Sequence, residues 1–331
     1  LPPTIYRPVR WGILGAGHIA HKFAGDLLMS PDCRLTAVAS RSREKADRFA
    51  VQFDIPRRHG DYQGLADDPE IDVVYVATPH AFHRDHVLLC LRAGKSVLCE
   101  KPFALNRAQA EEMSKTAWKA DRFLMEAVWT RFMPHILALQ ETVRSGAIGE
   151  IRTLTADFGF SGAGYPDGRL FSPALGGGAL LDVGIYPVTL AFILFGQPQT
   201  VQSMARIGAT GVDEQCGMLF GYDNGGMAVL FASIIGQTAQ EAVISGTGGR
   251  IVVHAPWWRS SQFTVHADGR DPETVQLPMR GNGFVYEIAE TARCLREGKR
   301  ESEILPLSET LAVMSVMDRM RESWGMKYPS E

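Results

Sequence analysis

Lys101 follows a short apolar run, Ser96-Val97-Leu98-Cys99, and precedes Pro102. The run reads as a buried strand, and the proline fixes the backbone and forbids a helix from starting at the lysine. An ammonium is therefore expected at a strand end, and in an open parallel α/β sheet such ends border the ligand crevice. Asp182 and Tyr186 form a second set, four residues apart in an apolar run that begins with Gly176-Gly177-Gly178. That spacing puts a carboxylate and a phenol on one helix face, provided Pro187 does not bend or restart the helix. Polar groups in such surroundings must be paired or used. Read one at a time, the lysine could equally be a surface turn residue, and the Asp-Tyr pair a carboxylate satisfying backbone donors beside a packed ring. Together, a lysine, a carboxylate and a phenol can hold an oxygen, orient a hydroxyl and move a proton.

A frame that could bring a redox cofactor to these groups is written in the first third of the chain. Val9-Arg10-Trp11-Gly12-Ile13-Leu14 reads as a strand, followed by Gly15-Ala16-Gly17-His18-Ile19-Ala20 and a helical pattern to about residue 28. Gly15 permits the tight turn, Gly17 lets a pyrophosphate approach the backbone, and Ala20 allows close packing of helix on strand. A second strand at 35–39 ends in Ser40-Arg41-Ser42-Arg43. An NAD-specific fold would place Asp or Glu near this point, about 20 residues after the glycines. None stands there, and Arg41, with Ser40 and Ser42, instead offers charge and donors to a 2′-phosphate. NADP is expected over NAD. The competing reading makes these residues caps of the helix at 44–53. A further strand at 71–77 runs into Ala77-Thr78-Pro79, again at the crevice, and His80 and His83 follow where they could flank a nicotinamide. The histidines at 80, 83 and 86 are not expected to bind metal, because no cysteine or acidic ligands accompany them and a helix turns them away from a single point.

A chain of 331 residues exceeds what one core usually serves, so two domains are expected, a dinucleotide-binding domain over 1–128 and a substrate and oligomerisation domain over 129–331. The last helix is free to pack back on the first domain. A formal charge of -3 gives no electrostatic case for nucleic acid or an anionic membrane, which turns attention to a small-molecule ligand. The five cysteines are scattered and form no Cys-x-x-Cys pair, as expected for buried thiols in a reducing, cytoplasmic setting. The strongest apolar run, 189–195, is far shorter than the roughly 20 residues of a membrane span. Residues 1–8 carry no apolar core of signal-peptide kind and read as a short extended arm.

After Trp129 the pattern changes. Strands are expected at 151–160, 200–207, 214–222, 227–235, 241–245, 249–254, 262–265 and 274–277, without regular helices between them, which describes a largely antiparallel sheet. Its second face needs cover, and a partner subunit would supply it. The alternation Met227-x-Val229-x-Phe231 does not say which face is wet. Trp129, Arg131, Phe158, Phe160, Tyr165 and Phe171 lie near the chemical segments and nominate themselves as a pocket for a ring-shaped substrate. Trp257 and Trp258 fit a loop or a subunit contact equally well.

The glycine-rich start, Ala77-Thr78-Pro79-x-x-x-His83, Glu100-Lys101-Pro102, Glu126-Ala127-x-Trp129-x-Arg131-Phe132 and Gly176-Gly177-Gly178-x-x-x-Asp182-x-Gly184-x-Tyr186 together resemble the Gfo/Idh/MocA oxidoreductases over nearly the full length. The resemblance implies a Rossmann dinucleotide-binding domain plus a C-terminal α/β domain with an open, mainly antiparallel sheet through which homo-oligomers form. It implies catalytic roles for Lys101, Asp182 and Tyr186, and cofactor contacts from Gly15, Ala16, Gly17, His18, Ile19, Ser40, Arg41, Ser42, Ala77, Thr78, Pro79, His83, Glu100, Lys101, Trp129 and Arg131. Tyr at 186, where inositol-oxidising members carry His, and the Trp129-Thr130-Arg131-Phe132 stretch point to an NADP-dependent branch acting on cyclic diols and on D-xylose. A small polyol, sugar or cyclic diol is the expected substrate. Hydride would then pass between nicotinamide and a carbinol carbon, with Tyr186 as acid/base, its phenolate favoured by the Lys101 ammonium, and Asp182 orienting the substrate hydroxyl or the lysine. Direct proton transfer to Lys101 is the alternative. A glycosidase of this fold that uses its dinucleotide transiently, and a non-catalytic NADP sensor, are the rival functions.

Overall fold

The computed structural model describes residues 7–162 and 167–331, so residues 1–6 of the arm at 1–8 and the Tyr165 ring lie outside the described residues. The chain forms two compact units.

The first is built on six strands, β1 (Val9–Leu14), β2 (Cys33–Ala39), β3 (Arg57–His59), β4 (Val73–Val76), β5 (Ser96–Glu100) and β6 (Leu124–Ala127). They pair in the order β3-β2-β1-β4-β5-β6, every neighbour parallel. Helices cover both faces, which is why β4 and β5 are buried at every residue and read as unbroken apolar runs. Their ranges are α1 (His18–Leu28), α2 (Arg43–Gln52), α3 (Tyr62–Ala66), α4 (His83–Arg92) and α5 (Arg107–Ala120). The strand order reverses between β1 and β4, and the crevice at that switch point is where such sheets bind nucleotides. β3 is a three-residue strand of Arg57, Arg58 and His59, which no apolar pattern announces.

The second unit contains α6 (Pro134–Arg144), β7 (Ile151–Gly159) and α7 (Ile185–Phe195). Then follow β8 (Thr200–Ile207), β9 (Asp213–Gly221), β10 (Met227–Ser233), β11 (Ala242–Gly246), β12 (Gly249–Val253), β13 (Gln262–Ala267) and β14 (Glu273–Gln276). Eight strands run β14-β13-β12-β11-β7-β10-β9-β8, antiparallel except where β7 meets β10. Helix α7 lies on one face, against β7 and β10. Leu154, Ala156, Ala228, Leu230 and Ala232 are buried in these two strands. On the alternate positions Met204 is 76% exposed and Val229 51%. The wet face is therefore the one carrying Met227, Val229 and Met204, a pattern opposite to ordinary polar-out alternation.

The apolar stretch is longer than the run at 189–195 suggested. Pro173–Phe195 has the length and composition to cross a membrane, yet 83% of its most apolar 18-residue window is buried in the structure, and its end, α7, packs on the sheet. Two helices close the chain, α8 (Val285–Arg296) and α9 (Leu307–Ser323). Arg280–Leu307, with α8, belongs to the first unit, while α9 and the residues after it belong to the second. The return is held by Asp26, buried near the end of α1, whose carboxylate accepts the backbone N–H groups of Asn282 and Phe284, each at 2.8 Å. α8 is thus part of the first unit.

Candidate active site

The turn from β1 into α1 has the geometry its glycines promised. Gly15 has φ +106°, and a Cβ there would stand 2.8 Å from the Ala77 carbonyl oxygen, so only glycine lets the two strand ends close up. Gly17, the N-cap of α1, faces open space, and no side chain caps the helix or places an acid in its first turn. Its amide donors are left for a ligand. A cleft of about 470 Å³ opens here. Gly15, Ala16 and Gly17 form one wall, Ala77, Thr78 and Pro79 another, and Ser40, Arg41, Ser42, Lys45 and Tyr62 a third. His18 and Ile19 simply begin α1.

The third wall decides the charge of the cleft. It carries two cations and no carboxylate. Ser42 does cap α2, accepting the Lys45 N–H at 3.3 Å, so the competing capping reading is realised in the same residue that lines the cleft. A neighbouring recess of about 200 Å³ adds Phe82 and His86 to Arg41, Tyr62, Thr78 and Pro79. The Tyr62 ring meets His86 edge-on at 4.6 Å, and His86 Nδ1 lies 2.9 Å from the Thr78 hydroxyl. Burial, with the Arg41 charge beside it, pulls His86 down to about 4, so the imidazole is neutral. These residues suit the adenosine moiety of a dinucleotide. A dinucleotide fits this donor set.

At the end of β5, Glu100 is turned into the protein. Its carboxylate accepts the Tyr75 hydroxyl and, at 3.1 Å, the backbone N–H of Lys101, so it fixes the lysine's backbone as much as it could face a cofactor. Glu287 of α8 is buried nearby, its carboxyl pushed well up by burial and by Glu100. Lys101 itself is half-buried, with its peptide bond to Pro102 cis. His83 sits between the two strand-end turns. Its Nδ1 is 2.8 Å from the Pro102 carbonyl and its Nε2 2.8 Å from that of Thr78, so the ring bridges the two turns, the tautomer deciding which nitrogen donates. Burial lowers it to about 4. Trp129 stacks on Phe284 at 5.5 Å. Arg131 is ion-paired with Glu309 at 3.0 Å, which gives its buried guanidinium a structural task.

In the second unit the segment bearing Asp182 and Tyr186 is not a uniform α-helix. Leu180–Gly184 forms a π turn before α7 begins. Pro187 has no N–H to give the Val183 carbonyl, and the wider turn is how the chain passes that gap without breaking. Asp182 pairs with Arg169 at 2.8 Å, a partner the sequence did not suggest. The Tyr186 ring sits 5.3 Å from Phe158, which in turn stacks on Trp258 at 3.3 Å and 9°. Trp258 is thus beside Tyr186, while Trp257 donates its indole N–H to the Asp157 carbonyl and fixes the pair. Of the nominated aromatics, Phe158 joins Tyr186, Phe160 lies 6.3 Å behind Phe158, and Phe171 is buried.

The sequence pattern of the Gfo/Idh/MocA oxidoreductases, with an NAD-binding Rossmann fold, matches residues 9–128, and that of the Gfo/Idh/MocA C-terminal domain matches 136–252. The chain belongs to the Gfo/Idh/MocA oxidoreductase family. It is 38% identical over 330 residues to trans-1,2-dihydrobenzene-1,2-diol dehydrogenase of Xenopus tropicalis, covering 97% of this chain and 99% of that one. Among solved structures it is similar to the 3-ketoreductase KijD10 of Actinomadura kijaniata in complex with NADP and TDP-benzene (TM-score 0.86, 26% identity, 96% and 98% of the two chains). Variants of that ketoreductase with a tyrosine changed to phenylalanine or a lysine to alanine are similar too. The aldose-aldose oxidoreductase of Caulobacter crescentus complexed with glycerol matches with TM-score 0.87 at 27% identity, over 96% and 97% of the chains. The family and its named dehydrogenases make this protein an NAD(P)-dependent dehydrogenase acting on CH–OH groups.

Proposed function

We propose that the enzyme is NADP-dependent and moves hydride between nicotinamide and a carbinol carbon of a cyclic diol or sugar, with Tyr186 as the acid/base and Lys101 and Asp182 assisting. The observation that carries the cofactor choice is the cleft wall of Arg41, Ser42 and Lys45, which suits a 2′-phosphate and presents no carboxylate to a free 2′-hydroxyl diol. Bound NADP would supply the hydride acceptor or donor. The chain's own groups do the rest. Tyr186 takes or gives the hydroxyl proton, and an ammonium at Lys101 favours its phenolate and holds the substrate oxygen. Arg169 pairs with Asp182 and orients it, so the carboxylate can direct a substrate hydroxyl. The Phe158–Trp258 stack beside Tyr186 offers flat apolar faces to a ring-shaped diol or sugar. Dihydrodiol dehydrogenases and sugar oxidoreductases among the relatives favour the same substrate classes.

We also propose a homo-oligomer formed through the open sheet face, because Met204, Met227 and Val229 leave an apolar surface there that a second copy would cover. The deciding experiment for the activity is a panel of cyclic diols, aldoses, polyols and inositols, followed by nicotinamide absorbance with NADP and with NAD. Substrate-dependent NADPH formation, or consumption with the carbonyl product, supports the reading. Sugar release without net NADPH would mark a glycosidase, and cofactor binding without turnover on any of the panel would mark a sensor.

A further inference from the structure

The segment bearing Asp182 and Tyr186 springs from the Gly176–Gly178 turn, and the structure grips that turn from two sides. From the sheet, Asp213 at the start of β9 accepts the Leu180 backbone N–H with its Oδ2 at 2.6 Å, and is fully buried. Its Oδ1 has no hydrogen-bond partner among the described residues and lies 2.2 Å from where a Gly178 Cβ would stand, at a residue with φ +117°. From the other side, the Tyr328 hydroxyl donates to the Gly177 carbonyl at 2.5 Å. Tyr328 is itself held by Arg321, whose guanidinium lies 5.0 Å over its ring and pairs with Asp318 and Glu331. Asp213 is thus a carboxyl placed against the first turn of the chemical segment, with one oxygen bound to that turn and the other left over.

We propose that Asp213 is a positioning residue for the reaction, anchoring the turn from which Asp182 and Tyr186 are presented, more firmly as a carboxylate than as a neutral acid. The proposal rests on the reading of Tyr186 and Asp182 as the acting groups. A carboxylate makes the stronger hydrogen bond to a helix-start N–H and gains from the amide dipoles, whereas the neutral acid makes an ordinary one. Burial raises the Asp213 carboxyl to about 7, against the pull of the Leu180 and Ala179 N–H groups and of Arg321. The other groups facing it are the Tyr328 phenol and the Cys216 thiol, both pushed up by burial and by Asp213, so both stay neutral. The anchor should tighten as pH rises through neutrality.

The test uses the NADP-saturated full-length enzyme. In Asp213→Asn the amide oxygen still accepts the Leu180 N–H but never ionises. Turnover above neutrality should fall about fivefold, the difference between a charge-assisted and a neutral hydrogen bond, and the rise of kcat with a midpoint near 7 should flatten, while NADP affinity stays within about twofold. Tyr328→Phe, which loosens the turn without touching a charge, should lower kcat and keep the pH profile. In the wild-type protein the Leu180 amide resonance should titrate with that same midpoint. A wild-type pH profile and kcat in Asp213→Asn, or a Leu180 amide that does not move through neutrality, overturns the proposal. If instead Tyr186→Phe keeps normal turnover, the catalytic reading fails, and the Leu180 titration still reports the charge on Asp213.

Discussion

Replacing Arg41 by alanine is the sharpest perturbation of the cofactor reading. The guanidinium is exposed on the cleft wall, with Lys45 as the second cation and no acid among the described residues that line it. Two unit charges about 4 Å apart attract by about 4 kcal/mol at an effective dielectric of 20, and solvent at an exposed site roughly halves that. A loss of about 2 kcal/mol corresponds to roughly a 30-fold weaker NADP, with Lys45 retaining the rest of the charge. NAD lacks the 2′-phosphate and should lose less than about threefold, since the Arg41 side chain contributes only part of the adenosine wall. Titration of intrinsic tryptophan fluorescence with NADPH and NADH at low and high salt measures both constants. The NADP loss should shrink as salt rises, because the interaction is exposed. Equal weakening of both cofactors, or a wild-type preference for NADH, would refute the assignment of this wall to a 2′-phosphate.

Gly15→Ala puts a methyl 2.8 Å from the Ala77 carbonyl at φ +106°, so affinity for both cofactors should drop tenfold or more by the same titration, without the selectivity seen for Arg41. Tyr186→Phe and Lys101→Met should each cut kcat by about two orders of magnitude or more with near-normal NADPH binding, and near-normal rates in either would remove that residue from the mechanism. Val229→Asp with Met204→Asp charges the open sheet face and should shift sedimentation from oligomer to monomer, whereas an unchanged profile would place the contact elsewhere. For stability, Asp213 has a folded pKa of about 7 against an ordinary 3.8. The stability it confers is present below 3.8 and lost as pH rises through 7. Melting temperatures of Asp213→Asn should therefore gain on wild type across that window, by an increment whose ceiling is about 4 kcal/mol, and a constant difference would contradict the raised pKa.

The histidine at 83 shows how far residue type alone reaches. A His near a helix start over a crevice reads as a cofactor contact, and nothing local announces the two carbonyls, 5 and 19 residues away, that lie beside its nitrogens. Its partner set depends on where β4 and β5 end relative to each other, which no local pattern records. The same holds for Asp182, whose Arg169 sits 13 residues back across a turn, and for Asp213, which meets Leu180 from 33 residues on.

By itself the sequence determined the elements whose signal is local. Glycines at 15 and 17 allow one kind of turn, unbroken apolar runs make strands buried on both faces, and the absence of an acid after β2 sets the charge of the cleft wall. The eight strands of the second sheet are legible for the same reason, since period-two burial is a property of neighbours along the chain. Only the tertiary structure decided which face of that sheet stays wet, which helix returns to the first unit, how the chain passes Pro187, and what surrounds Tyr186. Each of these is a choice among surfaces equally apolar in the sequence, made by burial between segments far apart, and periodicity carries no information about which distant surface wins.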